Sequence, residues 1–122
     1  MDKKIIYFIC QLHGITIRVK EIHWNTRSND EHLLCDEIIK AISNREDRFT
    51  ESAMGYSGEK FPLGALEPVI PSATNLTSVM SHLERTIESI RDTVSDKPGL
   101  LNVIDEMLEI VNMYKYRATQ VG

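Results

Sequence analysis

From Ser28 to Met54 the chain runs without a glycine or a proline, and no other stretch narrows the choice of fold so much. Ser28-Asn29-Asp30-Glu31 reads as a capping box, in which the serine hydroxyl accepts from the Glu31 backbone N–H while the Glu31 side chain reaches back to the cap. Leu34, Ile38, Ile42, Phe49 and Ala53 then recur at helical spacing until Gly55. The predicted helix is about 26 residues, or roughly 39 Å, long. That is unusually long for a chain of 122 residues.

The rest of the sequence supplies partners for this rod. Between Lys3 and Asn25, the residues Ile5, Phe8, Ile9, Leu12, Ile15, Val19 and Ile22 predict a first helix. Gly14 lies within it, at a propensity cost of about 1 kcal/mol relative to alanine. Gly55, Gly58, Pro62, Gly64, Pro68 and Pro71 punctuate a connection of roughly 18 residues after the long helix. A third helix is predicted from Thr74 or Asn75, with Leu76, Val79, Met80, Leu83, Ile87, Ile90 and Val94 on its buried stripe. Asp96-Lys97-Pro98-Gly99 breaks it, and Pro98 is placed to open a fourth, through Ile104, Met107, Val111 and Tyr114 towards Gln120. No segment alternates as a strand would.

The expected fold is therefore all-α, one domain over residues 1–122. Short connections make hairpins of the first and last helix pairs. The long connection, at ~3.3 Å per extended residue, can travel the length of the second helix. Two hairpins joined by one long crossover form the ferritin-like variant of the four-helix bundle.

Composition excludes more than it selects. Hydrophobic and charged fractions of 42% and 26% are those of a soluble globular protein. The net charge of −4, from 18 acidic and 14 basic residues with the basic ones scattered, offers no basic patch for nucleic acid. No apolar run approaches the ~18 residues of a membrane span, and Met1-Asp2-Lys3-Lys4-Ile5 leads straight into a helical pattern, so a cytoplasmic location is expected. Cys10 and Cys35 are read as small buried hydrophobes, as they are too few for a disulfide framework.

Chemistry concentrates around the long helix. His32 and Asp36 form one i,i+4 pair, Asp47 and Glu51 another, and all four fall within a stripe roughly 100° wide. His23 precedes Ser28 by about as much as His32 follows it, so a hairpin sets the two imidazoles at one height. These nitrogen and oxygen donors suit a borderline or hard metal such as iron. Singly, each has an ordinary reading as a helix-end histidine or a solvated face, and it is the conjunction that points to metal. Asp36 and Asp47 lie eleven residues apart, roughly 16 Å along the helix, whereas two-metal centres hold their ions ~3.5–4 Å apart. A shared centre thus needs a second copy of the helix, antiparallel across a two-fold axis. His13, about 80° from His23 around the first helix, is read as a surface or core-edge residue. His82 is read as solvent-facing, and Tyr114 and Tyr116 as packing residues.

His23-Trp24-Asn25, His32-x-x-x-Asp36 and Asp47-x-x-x-Glu51-x-x-x-Gly55 resemble the signature of the Dps-type miniferritins, over about 30 residues. The resemblance implies an intersubunit di-iron ferroxidase centre, with His23, His32 and Asp36 from one subunit and Asp47 and Glu51 from another. It further implies a role for Trp24 in absorbing oxidising equivalents, oxidation of Fe(II) by hydrogen peroxide or oxygen, and iron storage in a dodecameric cage that limits oxidative damage. DNA binding is not expected, since only Lys3 and Lys4 precede the first helix as a basic tail. The alternative is a non-catalytic helical scaffold or cage, DNA-compacting in one version, on which the same donors are a charged surface.

Overall fold

The computed structural model describes residues 1–121 and consists of four helices, with no strand among the described residues. They are α1 (Lys3–Asn25), α2 (Asn29–Ser57), α3 (Leu76–Arg91) and α4 (Pro98–Ala118), with a 3₁₀ turn at Asp92–Val94 closing α3. None of them is long and apolar enough to cross a membrane.

Local chemistry sets most of the boundaries. Asp2 caps α1 by accepting from the Lys4 N–H at 2.7 Å, and Asn75 caps α3 by accepting from the Ser78 N–H at 2.9 Å. Ser28 Oγ accepts from the Glu31 N–H at 3.1 Å, as the capping box requires. Only half of that box forms, because the Ser28 N–H donates to Thr26 Oγ1 at 3.1 Å instead of to Glu31. The long helix also overruns its predicted stop. Gly55 is helical, and α2 ends at Gly58, whose φ of 70° is left-handed and whose N–H donates to the Met54 carbonyl at 2.9 Å.

α1 packs on α2 and α3, and α4 packs on the same two, so the order around the core is α1, α2, α4, α3. Side-chain pairs give the directions. His13 meets Glu46 and His23 meets His32 across α1 and α2, while Glu37 meets Arg117 and Arg45 meets Glu106 across α2 and α4. Arg91 meets Asp105 and Glu84 meets Lys115 across α3 and α4. Neighbours are therefore antiparallel, α2 and α3 run parallel, and the connection between them must return along the whole molecule.

That crossover lies on α1. The Val69 N–H donates to the Cys10 carbonyl at 3.1 Å, and the Arg18 guanidinium donates to the Pro71 carbonyl through Nη2 at 2.9 Å and Nε at 3.2 Å. Beneath it one apolar core joins all four helices, with Phe8 of α1 and Phe49 of α2 edge to face at 4.9 Å. Both cysteines are buried and free, as expected. Burial, helped by the nearby Glu31 charge, pushes the Cys35 thiol up to about 11, so it stays protonated and is a poor metal ligand.

Two packing expectations are corrected. Tyr114 is buried but Tyr116, two residues on and so about 200° round α4, is exposed. His82 is half-buried, and burial together with Arg85 lowers its pKa below the ordinary imidazole value.

Candidate functional site

One flank of α2 is tied to α4: Glu106 takes both Arg45, at 2.6 Å, and Arg48, at 3.0 Å, and Glu37 takes Arg117 at 2.7 Å. The opposite flank, beside α1, carries His32, Asp36, Asp47 and Glu51, and among the described residues only α1 and α4 pack closely on α2.

At its upper end the short turn between α1 and α2 brings His23 and His32 into register. Their rings stack with centroids 3.9 Å apart and planes 17° from parallel. His23 Nδ1 lies 2.9 Å from the His32 carbonyl, and His32 Nδ1 lies 3.1 Å from the His23 carbonyl. A carbonyl oxygen only accepts, so each Nδ1 carries a proton, and Nε2 is the ring atom left to act as a metal donor. This is the orientation by an outer hydrogen bond that metal-binding histidines commonly have. Near-parallel rings cannot both aim in-plane lone pairs at one ion ~2.0–2.1 Å away. Without ring rotation, each imidazole could only serve an ion of its own.

Asp36 is not drawn in to complete the expected trio. Its carboxylate is half exposed and meets Lys40 Nζ at 3.3 Å, one turn along the helix. Among the described residues, no three His, Cys, Asp or Glu side chains come close enough together to hold a metal ion. Trp24 follows His23 directly and is 72% exposed, with Leu33 55% exposed at the same end.

Asp47 and Glu51, both exposed, stand at the lower end beside a cleft of about 360 Å³ between α1, α2 and the crossover. Ile9, Met54, Phe61 and Leu66 give the cleft its apolar lining. Thr50, Asp47 and Glu51 add polar groups, and His13 and Glu46 pair within it, Nδ1 to Oε1 at 3.1 Å. The sequence reading missed this pair, since it took His13 as a surface or core-edge residue and did not single out Glu46. Glu46 nevertheless falls on the buried stripe, four residues after Ile42 and three before Phe49, which was the signal available.

Burial raises the Glu46 pKa above the ordinary carboxylate value, with Asp47 adding to the rise and His13 opposing it. A raised folded-state pKa means that this group favours folding below the usual carboxylate range and costs stability as pH climbs through the raised value. Glu46→Gln, uncharged and of the same shape, is therefore expected to gain stability relative to the parent between about pH 4 and pH 7. Urea unfolding at both pH values measures this, and a relative loss would mean that pairing with His13 outweighs burial.

Residues 23–117 match the Family of unknown function (DUF5856). The chain belongs to this family. Within the DUF5856 region lies the whole donor stretch from His23 to Glu51, so the match corrects the resemblance to Dps-type miniferritins. Pairs of acidic residues and histidines at i,i+4 spacing recur on the solvent face of many amphipathic helices, and a match of about 30 residues did not separate those cases. The chain is also similar, at 27% identity over 96 residues, to an "Uncharacterized 14.6 kDa protein in mobD-ri intergenic region" of Enterobacteria phage T4. That similarity spans 77% of this chain and 71% of the phage protein. No solved structure matches. The dodecameric cage, the storage role and the redox role of Trp24 rested on the corrected resemblance alone.

Proposed function

We propose that this member of the DUF5856 family is a homodimeric four-helix bundle of ferritin-like topology that binds iron between the α2 helices of two copies and oxidises it from ferrous to ferric. The observation that carries this reading is the reciprocal bonding of His23 and His32, which leaves both Nε2 atoms as the metal donors. Oxygen donors are the other requirement of an iron site. Asp36 is one turn away, and Asp47 and Glu51 lie roughly 16 Å beyond it, within reach only if a second copy runs the opposite way. Oxygen or hydrogen peroxide would take the electrons.

Antiparallel pairing sets His32 opposite Glu51 of the second copy and Asp36 opposite its Asp47, two carboxylates that need a cation between them. A second reading, a non-catalytic interaction module, is favoured by Trp24 and Leu33, two large apolar side chains exposed at one end.

Ferrous titration separates the two. Fe(II) is added to the protein without oxygen, air is then admitted, and ferric absorbance is followed. Oxidation faster than in buffer, saturating near about two ions per chain, supports the iron centre. A rate equal to that of buffer supports the interaction module.

A further inference from the structure

The α1–α2 face carries a knob at one end and a hole at the other. Trp24, at 72% exposed, is the chain's one tryptophan and stands beyond the histidine pair. The cleft containing His13 and Glu46 lies towards the other end. His13 and Trp24 are eleven residues apart on α1, close to three turns, so they project from nearly the same side, roughly 16 Å apart along the axis.

We propose that Trp24 of each copy seats in this cleft of the other across the two-fold axis. The proposal rests on the shared-centre reading, because the register that makes the centre also delivers the indole. Setting His32 opposite the second copy's Glu51, and Asp36 opposite its Asp47, puts the axis at the height of Ala41 and Ile42. Trp24 is level with the start of α2 and is carried by that axis to the height of Ser52 to Met54. Met54 lines the cleft.

The chemistry of the two surfaces agrees. An indole brings a flat apolar body and one N–H that only donates. Ile9, Phe61, Leu66 and the polarisable sulfur of Met54 provide the apolar walls, and Asp47 and Glu51 provide acceptors at the rim. His13 Nδ1 and Glu46 already pair with one another, so that bond is kept when the ring enters. A contact in which the same patch serves both partners is the isologous form that two-fold dimers require.

With the redox-silent Zn(II) present in excess, sedimentation gives the dimer dissociation constant and tryptophan emission reports the ring's surroundings. The expected results are emission that shifts to the blue and resists iodide quenching as dimers form, and a dissociation constant raised about 30-fold by Trp24→Ala. Leu66→Lys, at an already exposed position, should weaken the dimer as well, and its effect should largely vanish in the Trp24→Ala background. A dimer of unchanged affinity in Trp24→Ala, with exposed emission in the parent, overturns the seat and leaves the shared centre standing. A parent that stays monomeric at every concentration overturns both.

Discussion

Gly14→Ala is expected to destabilise the fold by about 2–3 kcal/mol, although helix propensity alone predicts a gain of about 1 kcal/mol. A Cβ at Gly14 would overlap the carbonyl group of Val69 and come within 2.8 Å of the Ile70 nitrogen. Those are backbone atoms of the crossover, so no side chain can swing aside to relieve the clash. The strand of chain would have to lift off α1, stretching the bond from the Val69 N–H to the Cys10 carbonyl and loosening the Arg18 clamp on Pro71. Losing such a bond costs roughly 1 kcal/mol. For a domain of this size the melting temperature should fall by roughly 10 °C. Gly55→Ala is the matched control, since Gly55 is helical with nothing within 4 Å of the added carbon. It should raise stability by up to about 1 kcal/mol. Melting curves on both variants measure the effects, and two changes of the same sign would contradict the packing of the crossover.

Asp47→Asn combined with Glu51→Gln is expected to weaken metal binding at least about 100-fold while leaving His23, His32 and Asp36 untouched. Both side chains are exposed, and stability should move by no more than about 0.5 kcal/mol. His32 and Asp47 are fifteen residues apart, roughly 22 Å along α2, so the two groups cannot ligate one ion within a chain. Loss of binding at the histidines through a change at that distance is what a centre split between copies requires. Isothermal titration with Zn(II) and Co(II) reads the affinity, and an unchanged constant would locate any metal at the histidine turn alone.

What the sequence made legible was what depends on neighbours close in the chain. Ile5 to Ile22, Leu34 to Ala53, Leu76 to Ile90 and Leu100 to Tyr114 repeat at helical spacing and lie buried in four helices. Pro98 opens α4 as expected, and the many breakers after α2 mark the crossover. The level placement of His23 and His32 followed from counting residues either side of a short turn.

Decisions that depend on tertiary contact were not legible. Gly55 and Gly58 are equally able to end a helix, and the stop falls where the chain turns left-handed. His13 and Glu46 come together from 33 residues apart, and only the packed helix pair brings them within 3.1 Å. Asp36 had Lys40 as a competitor one turn away, and that pairing is the one seen. The family resemblance went wrong for a related reason. It was carried by spacings along one helix, which many helices share, while residues 23–117 as a whole match another family.

Mixing two disabled variants separates a centre shared between copies from every arrangement inside one chain. His23→Ala with His32→Ala removes one half of the proposed site, and Asp47→Asn with Glu51→Gln removes the other, so neither protein should bind metal alone. Unfolded together and refolded as an equimolar mixture, they should form heterodimers in which one of the two centres has both halves intact. Random pairing then returns about a quarter of the parent's metal-binding sites. Metal binding that stays absent in the mixture, from proteins that have refolded and paired, would contradict the shared centre.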